Sequence, residues 1–196
     1  MHPNPTFRAD TADLLARAGR IGFAHIFAST PEGPMVVHAP VTIHGEGVRF
    51  HVARANRIAP HLEGAALLLS IVGAQGYVSP NWYSTPGDQV PTWNYLGIEI
   101  EGRAGAIDEA ALVEQLDRLA DTHEPRPGPW TRAKTDPAAF AKMLRAIQGY
   151  ELAVTAVRGT SKLSQNKRAA DRLGVIAGLR DRGNAALADA MAECLP

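Results

Sequence analysis

The chain has one cysteine in 196 residues, Cys194. An internal disulfide is excluded, so packing and hydrogen bonds must hold the fold, as is usual in a reducing compartment. No neighbouring pattern activates this thiol, which reads as a helix-face residue rather than a nucleophile. An excess of one charge is also missing. Twenty basic residues balance twenty acidic ones, which removes any overall electrostatic bias toward nucleic acid, membranes or acidic substrates. No apolar run approaches the roughly 20 residues of a membrane span, and the opening MHPNPTFRAD lacks the basic and apolar regions of a signal peptide. The expectation is a soluble, cytoplasmic protein.

Several chemical signatures are absent as well. There is no GxGxxG or GxxxxGK[ST] phosphate loop and no GxSxG nucleophile elbow, which argues against a Rossmann fold and a serine hydrolase. Seven histidines are present, with His25, His38, His44 and His51 on successive apolar runs. None is spaced as a zinc ligand pair, and cysteine or acidic partners are lacking, so no metal site is expected.

What is present is a series of short runs rich in β-branched, aromatic and Leu residues between residues 20 and 105: IGFAHIFAS, GPMVVHAPVTI, GVRFHVA, AALLLSIVG and NYLGIEIEGRAGA. Gly, Pro and Ser-Thr clusters separate them, and TPEG (30–33) and HGEG (44–47) read as hairpin turns. Such spacing predicts an antiparallel sheet closed into a barrel or sandwich. Helices are predicted over residues 11–19, over 108–124 with Asp108 as N-cap and Val113, Leu116 and Ala120 on one face, and over 137–147. GYELAVTAV (149–157) reads as a returning strand. The Ala- and Leu-rich tail from Ala169 is helical with a break at DRGN (181–184). The class is mainly β with peripheral helices (α+β): residues 1–160 form the barrel with inserted helices, and 161–196 a loop and helical tail packed on it.

Three segments could carry chemistry. HVARANR (51–57) ends a strand in Arg and Asn just before a short helix at 58–64, which offers a phosphate charged side chains and free backbone donors. A solvated turn accounts for the same pattern. Residues 76–95, GYVSPNWYSTPGDQVPTWNY, concentrate Tyr77, Trp82, Tyr83, Trp93 and Tyr95, five of the twelve aromatic residues of the chain, beside Ser79, Asn81 and Asn94. This composition suits a planar ligand or an interface between copies. Residues 158–182 hold seven basic residues against two acidic ones, a local excess that could meet the phosphate of a cofactor or of DNA. Within them, KLSQNK (162–167) mixes two cations with three hydrogen-bonding side chains before a helix and reads as a ligand-facing loop.

These motifs together resemble the PaiB-like family of FMN-binding negative transcriptional regulators, which are built on the FMN-binding split barrel. The likeness rests on Met1, Pro5 and Phe7, HAP (38–40), HVARAN (51–56), YVSPNWY (77–83), VPTWNY (90–95), Gly149 and Tyr150, and KLSQNK, in that order. YVSPNWY, VPTWNY and KLSQNK are the specific ones. The resemblance implies a homodimer holding FMN in a cleft between subunits. Arg54, Asn56 and Arg57 would then meet the phosphate. Ser79, Trp82 and Tyr83 would meet the ring and ribityl chain, with Trp93 and Asn94 contributed across the dimer. Lys162, Ser164, Gln165 and Lys167 would close the site, and His51 and Asn81, from the same motifs, complete the candidates.

Two functions follow from it. One is a flavin-dependent regulator, with residues 158–182 as the DNA candidate. The other is an FMN-dependent oxidoreductase or flavin reductase, for which no general acid or base stands out. A haem alternative would use His51 or His61 as an axial ligand.

Overall fold

Each apolar run becomes a strand. The computed structural model describes residues 4–7, 11–84 and 87–195. Six strands, β1 (Phe23–Thr30), β2 (Gly33–His44), β3 (Gly47–Ala53), β4 (Ala66–Val78), β5 (Thr92–Ala106) and β6 (Ile147–Lys162), close into a barrel in the order β1-β2-β3-β6-β5-β4. The helices are α1 (Thr11–Ile21), α2 (Glu109–His123), α3 (Pro137–Leu144), α4 (Ala169–Asp181) and α5 (Ala185–Ala192). The mainly β class with accompanying helices is therefore the observed one. No helix among the described residues is long and apolar enough to cross a membrane.

Both predicted hairpins are present. β1 and β2 pair from Phe23↔Pro40 to Thr30↔Gly33, where the Thr30 hydroxyl donates to the Gly33 carbonyl at 2.7 Å and Gly33 takes φ +103°. β2 and β3 close at His44↔Gly47, with Gly45 at φ +56°. Left-handed backbone at these two turns favours glycine.

Contacts divide the chain into two compact units, one formed by Ala12–Ile71 and Glu99–Val157, the other by Met1–Thr11, Val72–Ile98 and Arg158–Pro196. The larger unit has the alternating interior of a barrel: Ala24, Ile26 and Ala28 of β1, Met35, Val37 and Ala39 of β2, and Val48, Phe50 and Val52 of β3 are all buried. Phe50 stacks on Tyr150, ring centroids 5.5 Å apart, and the Tyr150 hydroxyl donates to the Ala59 carbonyl at 3.2 Å. In the smaller unit, Val78 and Leu163 pack with Val175, Ile176 and Leu179 of α4 and Leu187, Ala188 and Met191 of α5.

The structure shifts several boundaries. α1 passes Gly19 and ends at Ile21, because Gly22 supplies the left-handed residue at φ +67° while its N–H donates to the Ala18 carbonyl. β6 starts at Ile147 and runs through Lys162 rather than stopping at 157, and α3 correspondingly ends at Leu144. On α2, Asp108 caps the helix as expected, accepting from Ala111 N–H at 2.8 Å. The fully buried positions are Leu112 and Gln115, however, with Val113, Leu116 and Ala120 only half-buried. The tail breaks where predicted, at Gly183 (φ +76°), with Asn184 capping α5.

Candidate functional site

In the smaller unit the aromatic stretch is the connection between two neighbouring strands: residues 76–78 finish β4 and β5 begins at Thr92. Ser79 caps a 3-10 turn, Pro80–Trp82, by accepting from Asn81 N–H at 3.2 Å, and the Asn81 side chain is exposed. Trp82 then lies on α4. A Cβ at Gly178 would come 2.5 Å from the indole Cδ2, and one at Gly174 would come 2.0 Å from the Trp82 carbonyl oxygen. The Arg182 guanidinium stands 5.8 Å from the ring centroid. Trp82 thus serves the packing of this unit. Trp93 and Tyr77 are the aromatics left in solvent, about half exposed and edge to face, with centroids 6.4 Å apart. The Trp93 indole N–H donates to Gln75 Oε1 at 2.6 Å.

The KLSQNK loop joins this stretch. Lys162 Nζ donates to the Trp93 carbonyl at 2.8 Å and to the Thr92 hydroxyl, and burial lowers its pKa. Lys167 Nζ donates to Gln89 Oε1 at 2.7 Å and stands 5.0 Å from the centroid of the Tyr83 ring. Burial, with the nearby Asp171 charge second, raises the Tyr83 pKa. Ser164 is a non-glycine residue at φ +60°, in the sparsely used left-handed region, and is buried. Its hydroxyl accepts from Asn94 Nδ2 at 2.9 Å, and the same amide donates to Met191 Sδ at 3.4 Å. Asn94 is wholly buried, yet its Oδ1 has no partner among the described residues. Gln165 folds back on its own loop, accepting from Leu163 N–H and donating to the Ser161 carbonyl.

In the larger unit, β3 ends at Ala53 and the chain turns through residues 54–58. Arg54 and Arg57 are exposed, with no ion pair to a described residue. Asn56 Oδ1 accepts from Ile58 N–H at 3.1 Å, an Asx turn that leads into the 3-10 turn Ala59–His61. The expected free backbone donors are largely used: the N–H groups of Arg54, Asn56 and Ala59 bond to the carbonyls of Ala146, Ala53 and Asn56. A phosphate here would meet guanidinium groups rather than a nest of amides.

His51 has a different setting. Phe50 and Val52 point into the barrel, so His51 and Arg49 point outward toward α2. Arg49 bridges Glu114 (2.7 Å) and Glu151 (2.6 Å). His51 Nδ1 and both amide atoms of Gln115 are buried without a well-formed hydrogen bond to a described residue, although the two side chains lie close enough for Gln115 to raise the His51 pKa. Burial outweighs this and lowers it below 6.5. The His44 pKa is lowered too, by burial first and then by Arg49 and Arg118, against the opposing pull of Glu114 and Glu151. Folded, these two histidines bind fewer protons than the unfolded chain below about pH 6.5, so they cost stability as the pH falls through that value. Melting temperature measured from about pH 7.5 down to 5.5 is expected to drop, and His51→Gln to flatten the slope. An unchanged slope in the variant would refute this role. His61, the other haem candidate, faces Glu32 with Nε2 3.9 Å from Oε1.

Within the basic segment, the structure engages most of the cations internally. Besides Lys162, Lys167 and Arg182, Arg172 is buried and donates to the Cys194 carbonyl, and Arg180 pairs with Asp189 at 3.0 Å. Buried Asp171 accepts from the Ser84 hydroxyl at 3.0 Å. Gln75, Gln89, Thr92, Asp171 and Met191 all hold the aromatic stretch or its partner loop, and no motif in the sequence marks them for it. The glycines four apart on α4, Gly174 and Gly178, were the one available signal of a close approach.

The sequence pattern of the family described as "Putative FMN-binding domain" matches residues 1–156. The chain belongs to this family. KLSQNK lies beyond the matched range. The "Protease synthase and sporulation protein PAI 2" of Bacillus subtilis is 29% identical over 163 residues, covering 80% of this chain and 78% of that protein. Among solved structures, a flavocytochrome from Azotobacter vinelandii superposes with a TM-score of 0.66 at 19% identity, over 82% of this chain and 72% of its own. An FAD- and haem-binding protein from Mycobacterium smegmatis gives 0.61 at 15% identity, over 85% and 78%. At these identities the two superpositions show that this chain shares its split-barrel-like fold with both proteins.

Proposed function

We propose that this chain binds FMN as a homodimer and acts as a regulator, the role that its resemblance to PaiB-like proteins implies. The observation that carries the cofactor is the family match over residues 1–156. Each unit, taken by itself, offers groups of the right chemistry. Arg54 and Arg57 present exposed guanidinium groups, without an ion pair to a described residue, suited to a phosphate. In the other unit, the exposed Tyr77–Trp93 pair offers aromatic surface. The orphaned Asn94 Oδ1 and the Lys162 and Lys167 ammonium groups offer an acceptor and donors to a ring edge or hydroxylated chain. When bound, FMN would supply one- or two-electron redox chemistry.

Self-association is supported by the outer face of β1 and of the part of β2 paired with it. Along their register the outward residues are Phe23 and Pro40, His25 and His38, Phe27 and Val36, and Ser29 and Pro34, with no Asp, Glu, Lys or Arg among them. Phe23, Phe27 and Val36 are 49%, 41% and 39% exposed. A face of this kind on a soluble protein is commonly covered by a partner. Sedimentation is expected to give a dimer that Phe27→Glu converts to monomer. A dimer unaffected by that charge would place the contact elsewhere.

The oxidoreductase reading draws support from the flavocytochrome likeness. Steady-state oxidation of NADH or NADPH by the FMN-loaded protein separates the two: turnover with a small acceptor favours an enzyme, and its absence across a broad donor panel favours the regulator. FMN binding itself is tested by titration, with saturable quenching of flavin fluorescence expected and none counting against the proposal.

A further inference from the structure

Among the clefts that the described residues of the larger unit line, two, one on each side of α2, share a single residue, His123. On the α3 side, Leu116 and Leu119 of α2 face Phe140 and Met143 of α3, with Ile147 and Trp130 at the ends, around about 530 Å³. This volume falls in the range of small-molecule sites. Met143 is 54% exposed and Trp130 38%, so the cleft leaves apolar and polarizable surface in water. The one acidic side chain among the described residues of its lining, Glu124, is already committed: its carboxylate accepts from the Trp130 backbone N–H at 3.0 Å and fixes the tryptophan at the cleft wall.

On the α1 side the chemistry reverses. Arg20, Arg118, Thr42, Thr122 and His123 surround about 360 Å³, and no Asp or Glu among the described residues lines it. Arg118 is held in place by donating to the Ile43 carbonyl, and its charge is felt by His44, whose pKa it helps to lower. His123 can stand between the clefts because Gly22 leaves room for it: a Cβ there would come 2.3 Å from the imidazole Nε2. An apolar slot and a cationic one therefore adjoin at one imidazole.

We propose that these clefts bind a small amphipathic monocarboxylate, an aromatic or medium-chain aliphatic acid. Its body lies between α2 and α3, and its carboxylate passes His123 toward Arg20 and Arg118. A neutral apolar ligand would leave the cationic cleft unused, and a compact anion such as phosphate would leave the apolar one unused. The proposal is independent of the flavin reading.

Isothermal titration of the full chain with hexanoate, octanoate, octanol and acetate tests it. Octanoate is expected to saturate, with affinity rising about fourfold per added methylene along the acid series, octanol to bind roughly tenfold more weakly, for loss of one charge-assisted contact, and acetate not at all. Arg20→Gln and Arg118→Gln should erase the advantage of octanoate over octanol while leaving octanol unchanged. Ala120→Trp should block both ligands, with a melting temperature near that of the parent as the folding control. No binding of either ligand, or binding indifferent to Ala120→Trp, overturns the site. Equal binding of acid and alcohol, insensitive to both arginines, overturns the carboxylate assignment. Dimer dissociation caused by Ala120→Trp would show that a second copy fills the cleft, and would likewise overturn it.

Discussion

Gly174→Ala is expected to destabilise the chain by about 1–3 kcal/mol, the usual cost of forcing an extra methyl into a packed contact. Alanine is ordinarily the better helix residue, by about 1 kcal/mol over glycine, so at an open position of α4 the same change would stabilise. At Gly174 the new Cβ would sit 2.0 Å from the Trp82 carbonyl oxygen. That atom belongs to the backbone of a 3-10 turn, whose N-terminal residue Ser79 is tied to Asn81 N–H, so it cannot rotate away as a side chain could. Either α4 moves or the turn does. Gly178→Ala meets the indole ring instead, at 2.5 Å, and should displace Trp82 from its contact with the core cluster. Denaturant midpoints and near-ultraviolet circular dichroism read both effects. A Gly174→Ala variant as stable as the parent would mean that Trp82 does not rest on α4 as described.

The double variant Arg54→Ala, Arg57→Ala is expected to lose its preference for FMN over riboflavin. These two ligands differ only in a phosphate that carries close to two negative charges at neutral pH. Hydrogen bonds to charged groups contribute about 1.5–3 kcal/mol when well formed. Both arginines are exposed, so solvent screening argues for the low end, or roughly tenfold in affinity for each. Riboflavin affinity should stay constant, because the neutral ring and ribityl chain make no use of these charges. The same selectivity in the variant and the parent would remove Arg54 and Arg57 from the phosphate role. Because Arg54 also acts on Tyr150 through its charge, folding of the variant needs to be checked by melting.

Much of the fold is legible because its determinants are local. GVRFHVA becomes β3 over Gly47–Ala53, since alternation and two bounding turns define it. The hairpin glycines, the Asp108 cap and the break before Asn184 each act within a few residues. The misplaced boundaries depend on distant partners. β6 extends to Lys162, beyond its apolar portion, carried on to the point where Lys162 meets Thr92 and Trp93. The α2 face buries Leu112 and Gln115 because the helix lies against the outer side of the sheet, with Leu112 beside Gly149 of β6 and Gln115 beside His51 of β3, which α2's own sequence does not encode.

The candidate site shows the same division. Composition alone marked residues 76–95, 51–57 and 162–167, and the structure brings the first and last of these together through Asn94–Ser164 and Lys167–Tyr83. It also gives some of their side chains structural duties: Trp82 is packed against α4, and His51 is turned toward Gln115. Nothing in the aromatic stretch itself distinguishes Trp82 from Trp93. The distinction comes from two glycines some ninety positions away.

The central claim, that this member of the FMN-binding domain family holds FMN, is tested most directly by one spectrum. The purified chain is saturated with FMN, freed of unbound flavin on a desalting column, and its absorption recorded against protein concentration. The account predicts the two-banded spectrum of oxidised flavin at one flavin per chain. Folded protein that emerges colourless, or that shows the intense single band of a haem, would contradict it.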